Sequence, residues 1–124
     1  MQDEPTPIEL TKAVADFLRS DIAPMISGHN AFKLRVTINA LELVVRQLTL
    51  EDGTDTAEAE GLAKLLDAEG SLLEQNRALA AMIAKGEVDL NTPGLPEHLW
   101  RTTMAKLAVD QPNYASYKRE LGRK

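Results

Sequence analysis

The chain has 124 residues, no cysteine and a formal net charge of −5 at pH 7. That length suits one domain and suffices to bury about two thirds of the unfolded surface without a covalent staple. Missing thiols exclude a disulfide framework and thiolate chemistry and fit a reducing compartment, the negative balance argues against nonspecific nucleic-acid binding, and no apolar run approaches the ~20 residues needed to cross a bilayer.

The opening MQDEPTPIEL is acidic and lacks the basic region of a secretory signal, so the expected location is the cytoplasm. Residues 1–6 read as frayed. Thr6-Pro7-Ile8-Glu9 reads as a helix start, with Thr6 as cap, Pro7 in the first turn and Glu9 closing a capping box. Leu10, Val14, Phe17, Leu18 and Ile22 follow at helical spacing and predict one buried stripe. Pro24 should end or kink this helix near Ile22 or Ala23. Gly28 then reads as a stop and Asn30 as a cap for the next helix.

The stretch 32–50, FKLRVTINALELVVRQLTL, is the central helix of this reading. Leu34, Ile38, Leu41, Val45 and Leu48 form one stripe on a helical wheel, and Phe32, Val36, Leu43 and Leu50 form another on roughly the opposite side. A helix apolar on two sides needs neighbours on both, from its own chain or from a partner. Between the stripes runs a polar seam of Arg35, Asn39, Glu42 and Arg46, one above another. Three readings stay open for it: the wet side of the helix, a buried set that fixes the neighbouring helices, or a reach to a partner or phosphate. Glu42 and Arg46 stand in the favourable order for an i, i+4 pair.

This helix is expected to stop at Glu51-Asp52-Gly53 and a third to begin at Asp55, with a thin stripe of Leu62, Leu65 and Leu66, ending at Gly70. Ser71 caps a fourth helix, with Glu74 three residues on, a buried face of Leu72, Leu79, Met82 and Ile83, and Gly86 as its stop. Residues 87–95, with Pro93 and Gly94, read as an ordered loop. Pro96-Glu97 starts a fifth helix whose Leu99, Trp100, Thr103, Met104 and Leu107 can share a face, and which should end by Gln111, before Pro112. A short helix near 114–121 follows. Every periodic segment has a period near 3.6, so the fold is expected to be all-α: a compact bundle of about five helices plus a short C-terminal one, in a single domain over 1–124.

Charge is uneven. Residues 51–60 carry five acids and no base, whereas 101–124 carry six bases and two acids. The basic end reads either as a solvated tail or as a surface for an acidic or phosphorylated partner. Trp100, with Arg101 and Lys106 nearby, reads either as core or as an interface anchor, because Trp and Arg are favoured at interfaces.

The chemistry-bearing patterns are few. His29 and His98 are the two histidines, and neither has a carboxylate three residues before it, so the Glu-x-x-His pattern of di-iron bundles is absent. No serine sits in a Gly-x-Ser-x-Gly setting, and no glycine-rich loop of the Walker or dinucleotide type is present. The expectation is therefore no catalytic, cofactor-binding or metal site, with a small enzyme built on His29 or His98 as the weakest reading.

Three stretches, TPIELTKAVADFLRSDIAP, the central FKLRVTINALELVVRQLTL and HLWRTTMAKLAVDQPNY, resemble a family of small bacterial proteins described only as a domain of unknown function. The most specific parts are Arg35-Val36…Asn39-Ala40-Leu41 and Lys106-Leu107-Ala108…Pro112, and residues 52–70 match in helical character alone. Such proteins accompany an aminoglycoside-phosphotransferase-like kinase and an acyl-CoA-dehydrogenase-like enzyme. One member type is the companion subunit of the 4-hydroxyacyl-CoA kinase of levulinate catabolism. The resemblance implies a noncatalytic accessory subunit that stabilises or activates a kinase acting on hydroxyacyl-CoA, and it brings no catalytic residue with it. The alternative is a stand-alone homodimeric helical module that holds an acyl-CoA or another anionic ligand at its basic C-terminal region.

Overall fold

The computed structural model describes residues 4–67 and 69–122. Residues 1–3 of the stretch read as frayed, and Arg123 and Lys124 of the basic end, lie outside the described residues. The protein is all-helical, with no strand among the described residues: α1 (Pro7–Phe17), α2 (His29–Leu65), α3 (Leu72–Ala84), α4 (Leu95–Asp110) and α5 (Ala115–Leu121). The chain divides into two compact units, Met1–Leu50 and Glu51–Lys124, and the division falls within α2.

In the first unit, α1 starts as its sequence dictates. Thr6 accepts from the Glu9 backbone N–H at 3.2 Å, the Glu9 carboxylate accepts from the Thr6 N–H at 3.3 Å, and Pro7 fills the first helical position. Regular α geometry ends at Phe17. A π-helical turn, Leu18–Ile22, and a 3-10 turn, Ala23–Met25, follow. Pro24 supplies no N–H and its ring excludes the α-helical carbonyl four residues back, so the backbone bonds are redistributed before it. Gly28 takes a positive φ of 70° and its carbonyl accepts from Ala31 at 3.1 Å, so α2 begins at His29 and Asn30 lies inside its first turn instead of capping it.

Helix α2 runs unbroken for 37 residues, through the expected stop at Glu51-Asp52-Gly53. The expected second and third helices are thus one. Glycine in a helix interior costs about 1 kcal/mol, which does not outweigh continuous hydrogen bonding on both sides. A glycine Cβ at position 53 would meet nothing within 4 Å, so no close approach requires the residue there. Thr49, Thr54 and Thr56 turn their hydroxyls back onto the carbonyls of Val45, Glu51 and Asp52, which gives these weak helix formers a local partner within the helix.

The second unit holds the core. Leu62 and Leu66 near the end of α2 meet Leu79 of α3, Val88 of the following loop and Leu95 of α4, with Leu65, Leu72, Ala78 and Met82 packed around them. The thin leucine stripe of the sequence is therefore the centre of the apolar cluster. Ser71 accepts from the Glu74 N–H at 3.1 Å and caps α3. The helix closes on Gly86, whose φ of 74° permits paired bonds from the Gly86 and Glu87 N–H groups to the carbonyls of Ile83 and Met82. Ile83, expected in the buried face, is exposed. The loop before α4 is ordered by an Asp89–Thr92 turn: Asp89 N–H donates to the Thr92 hydroxyl at 2.9 Å, and Asn91 N–H to the Asp89 carboxylate at 2.8 Å. Tyr117 of α5 is buried.

Candidate interaction surface

In the first unit the described residues that are fully buried are Ala15 and Ile38. Of the α2 stripe read as facing its own chain, Leu34, Leu41 and Val45 are half-buried beside Ile38, and Leu48 lies at its exposed edge. The opposite stripe is open: Phe32 and Val36 are more than half exposed, Leu50 is exposed, and Leu43 is half-buried. The stripe on α1 departs further from expectation. Leu10, Val14 and Phe17, predicted to be buried, are 45%, 49% and 53% exposed, and Leu18 and Ile22 are half-buried. Residues at i, i+4 and i+7 share one helix face, so these three present a continuous apolar strip that the described residues leave about half exposed. Met25 and Ile26 add exposed apolar area at the end of the same segment.

The polar seam is partly exposed. Arg35 and Asn39 are exposed, and Glu42 and Arg46 are half-buried. Glu42 is paired with Arg19 of the π-helical turn, a bond that reaches outside α2. Arg35 lies over the Phe32 ring at 6.0 Å, and that ring stacks with His29 at 6.4 Å between centroids. His29, Phe32 and Arg35 thus form an exposed aromatic–cationic ladder on the first turns of α2, a composition favoured at interface hot spots.

In the second unit Trp100 is 55% exposed and Leu99 is exposed beside it. The core reading of Trp100 therefore falls. The face of α4 that turns inward carries Leu95 and His98, while Arg101 and Lys106 are exposed. Sequence reasoning placed His98 only as a metal or catalytic candidate. It is instead the one buried polar side chain among the described residues, 2% exposed, with an Nδ1 that reaches no hydrogen-bond partner. Its neighbour is Gly61 of α2, where an added Cβ would fall 2.9 Å from Cε1 and closer still to Nδ1. Burial, then the nearby Arg101 guanidinium, hold His98 below the ordinary histidine range, and Glu58 opposes them. The available signal was Gly61: a glycine inside a helical pattern costs stability and marks a close approach. The described residues gather no group of three or more histidine, aspartate or glutamate side chains placed to hold a metal ion, and no helix among them is long and apolar enough to cross a membrane.

A family model, Domain of unknown function (DUF6285), matches residues 24–114. The chain belongs to this family. The match takes in α2, α3 and α4 whole and leaves α1, with its open strip, and α5 outside it. No curated protein and no solved structure matches the chain.

Proposed function

We propose that this chain is a cytoplasmic, noncatalytic accessory subunit that binds and stabilises or activates a phosphotransferase-like kinase acting on hydroxyacyl-CoA. The observation that carries the reading is the open apolar strip Leu10–Val14–Phe17, together with Phe32 and Val36. Amphipathic helices that leave such a strip uncovered are laid against a partner groove, read at i, i+4 and i+7. The kinase as partner follows from the resemblance of the opening, central and closing stretches. In the reaction served, ATP phosphorylates the substrate hydroxyl and makes it a better leaving group. The kinase subunit holds the ATP, since this chain carries no Gly-rich phosphate cradle.

The test is co-purification with a phosphotransferase-like kinase encoded beside it, using the wild type and the double variant Phe17→Asp, Phe32→Asp. The expected result is a stable complex that the double variant loses while its helical circular dichroism is retained. Absence of a complex, with kinase activity indifferent to the chain, rejects the proposal. A self-associating chain that binds acyl-CoA in calorimetry and ignores the kinase establishes the alternative, a homodimeric ligand-binding module.

A further inference from the structure

His98 is placed by two elements, α4 that carries it and α2 that faces it. It sits in the first turns of α4, and its ring rests on the backbone of α2 at Gly61, where the absence of a side chain makes room for it. One turn earlier on α2, Glu58 accepts a hydrogen bond from the Asn76 amide of α3 at 2.9 Å, and Asn76 also donates to the Leu72 carbonyl at 2.9 Å. The charged groups that bear on the ring are therefore Arg101 from its own helix and Glu58 from α2, with α3 tied to Glu58 through Asn76.

A neutral imidazole fits this setting and a charged one does not. Protonation puts an N–H on both ring nitrogens. At Nδ1 that N–H would face Gly61 with no acceptor, in a spot closed to water. A buried donor without a partner is costly, and a buried charge more so. Glu58 is the nearby carboxylate, and its pull is outweighed by burial and by the Arg101 guanidinium; α3 and α4 share the Leu62–Leu79–Leu95 cluster with α2, so a shift of α4 away from Gly61 disturbs α3 as well.

We propose that His98 is an acid-operated latch: uncharged, its ring keys α4 against Gly61 of α2, and its protonation releases that contact and loosens α3 and α4 from the core of the second unit. The direction follows from linkage. The folded state binds the proton less readily than the unfolded chain, whose histidine titrates at about 6.5. The stabilising contribution is complete above that pH and is lost as pH falls from there through the lower folded value. The latch is independent of the accessory-subunit reading, because it needs no partner.

The experiment uses the full chain. Ring titration by NMR follows His98, and hydrogen exchange follows α3 and α4 from about pH 7.5 to about pH 5.5. His98 is expected to titrate below the ordinary histidine value of about 6.5. Opening of α3 and α4, corrected for intrinsic exchange, is expected to rise on acidification by up to about tenfold between about pH 7.5 and about pH 5.5. In His98→Gln, which keeps a polar side chain but cannot charge in this range, that rise should be absent. Titration of His98 at or above the ordinary value of about 6.5, or an equal rise in His98→Gln, overturns the latch. If His98→Gln does not fold, the wild-type titration alone decides, since it needs no variant.

Discussion

Residues 51–122 bury Leu62, Leu66, Leu79, Val88 and Leu95 in one cluster, with His98 and Tyr117 also buried, whereas the first fifty residues bury Ala15 and Ile38 and leave Leu10, Val14, Phe17, Phe32 and Val36 about half exposed. Both regions are built from well-formed helices with sound caps, so the difference does not lie in helix formation. It lies in what covers the apolar faces. The later unit supplies its own cover by bringing α3, the Val88 loop and α4 onto the end of α2. The earlier one carries the same kind of stripe, and its described residues leave that stripe about half exposed. A helix face of this kind is stable in the free chain only to the extent that its other side is packed.

Truncations separate the two regions most sharply. Leu62→Ala, at a position with no exposure, is expected to cost about 2–5 kcal/mol of unfolding free energy by denaturant titration. Phe17→Ala in the free chain should cost distinctly less, about 1 kcal/mol, because about half of that side chain is already exposed. A loss at Phe17 as large as at Leu62 would mean that the strip is covered in solution and would remove the comparison.

A second contrast concerns two glycines of the same helix. Gly61→Ala drives a methyl into the His98 ring and should destabilise by about 1–3 kcal/mol in the same titration. Gly53→Ala places its methyl in open space in a helical backbone and should stabilise by up to about 1 kcal/mol, with higher helical ellipticity. The opposite ranking would show that α2 does not continue through position 53.

Arg19→Ala should have the smallest effect. It breaks the pair with Glu42, but both side chains are well over a third exposed, and such pairs contribute about 0–1 kcal/mol, less at high salt. A larger, salt-insensitive loss would place this pair among the determinants of the first unit's fold.

These contrasts also mark what was legible in the sequence. The Thr6 box, the Ser71 cap, the Gly86 stop and the end of α4 before Pro112 were readable because each is decided by residues three or four positions apart. The join at Gly53 was not, since local propensity marks a weak point in a helix without saying whether the flanking turns carry it across. Periodicity found the Leu10–Val14–Phe17 stripe, yet it could not tell a face covered by the same chain from one left open. Trp100 posed the same question, and its exposure answers it for the free chain. His98 eluded the reading because its role depends on Gly61, 37 positions earlier, and no spacing rule connects the two.

Amide hydrogen exchange of the chain, alone and mixed with a phosphotransferase-like kinase of the kind proposed as its partner, tests the central claim most directly. The account predicts slower exchange in the kinase's presence across α1 and residues 29–50, with the Leu62–Leu79–Leu95 cluster unchanged. Protection that is absent, or that falls only on residues 51–122, would contradict it.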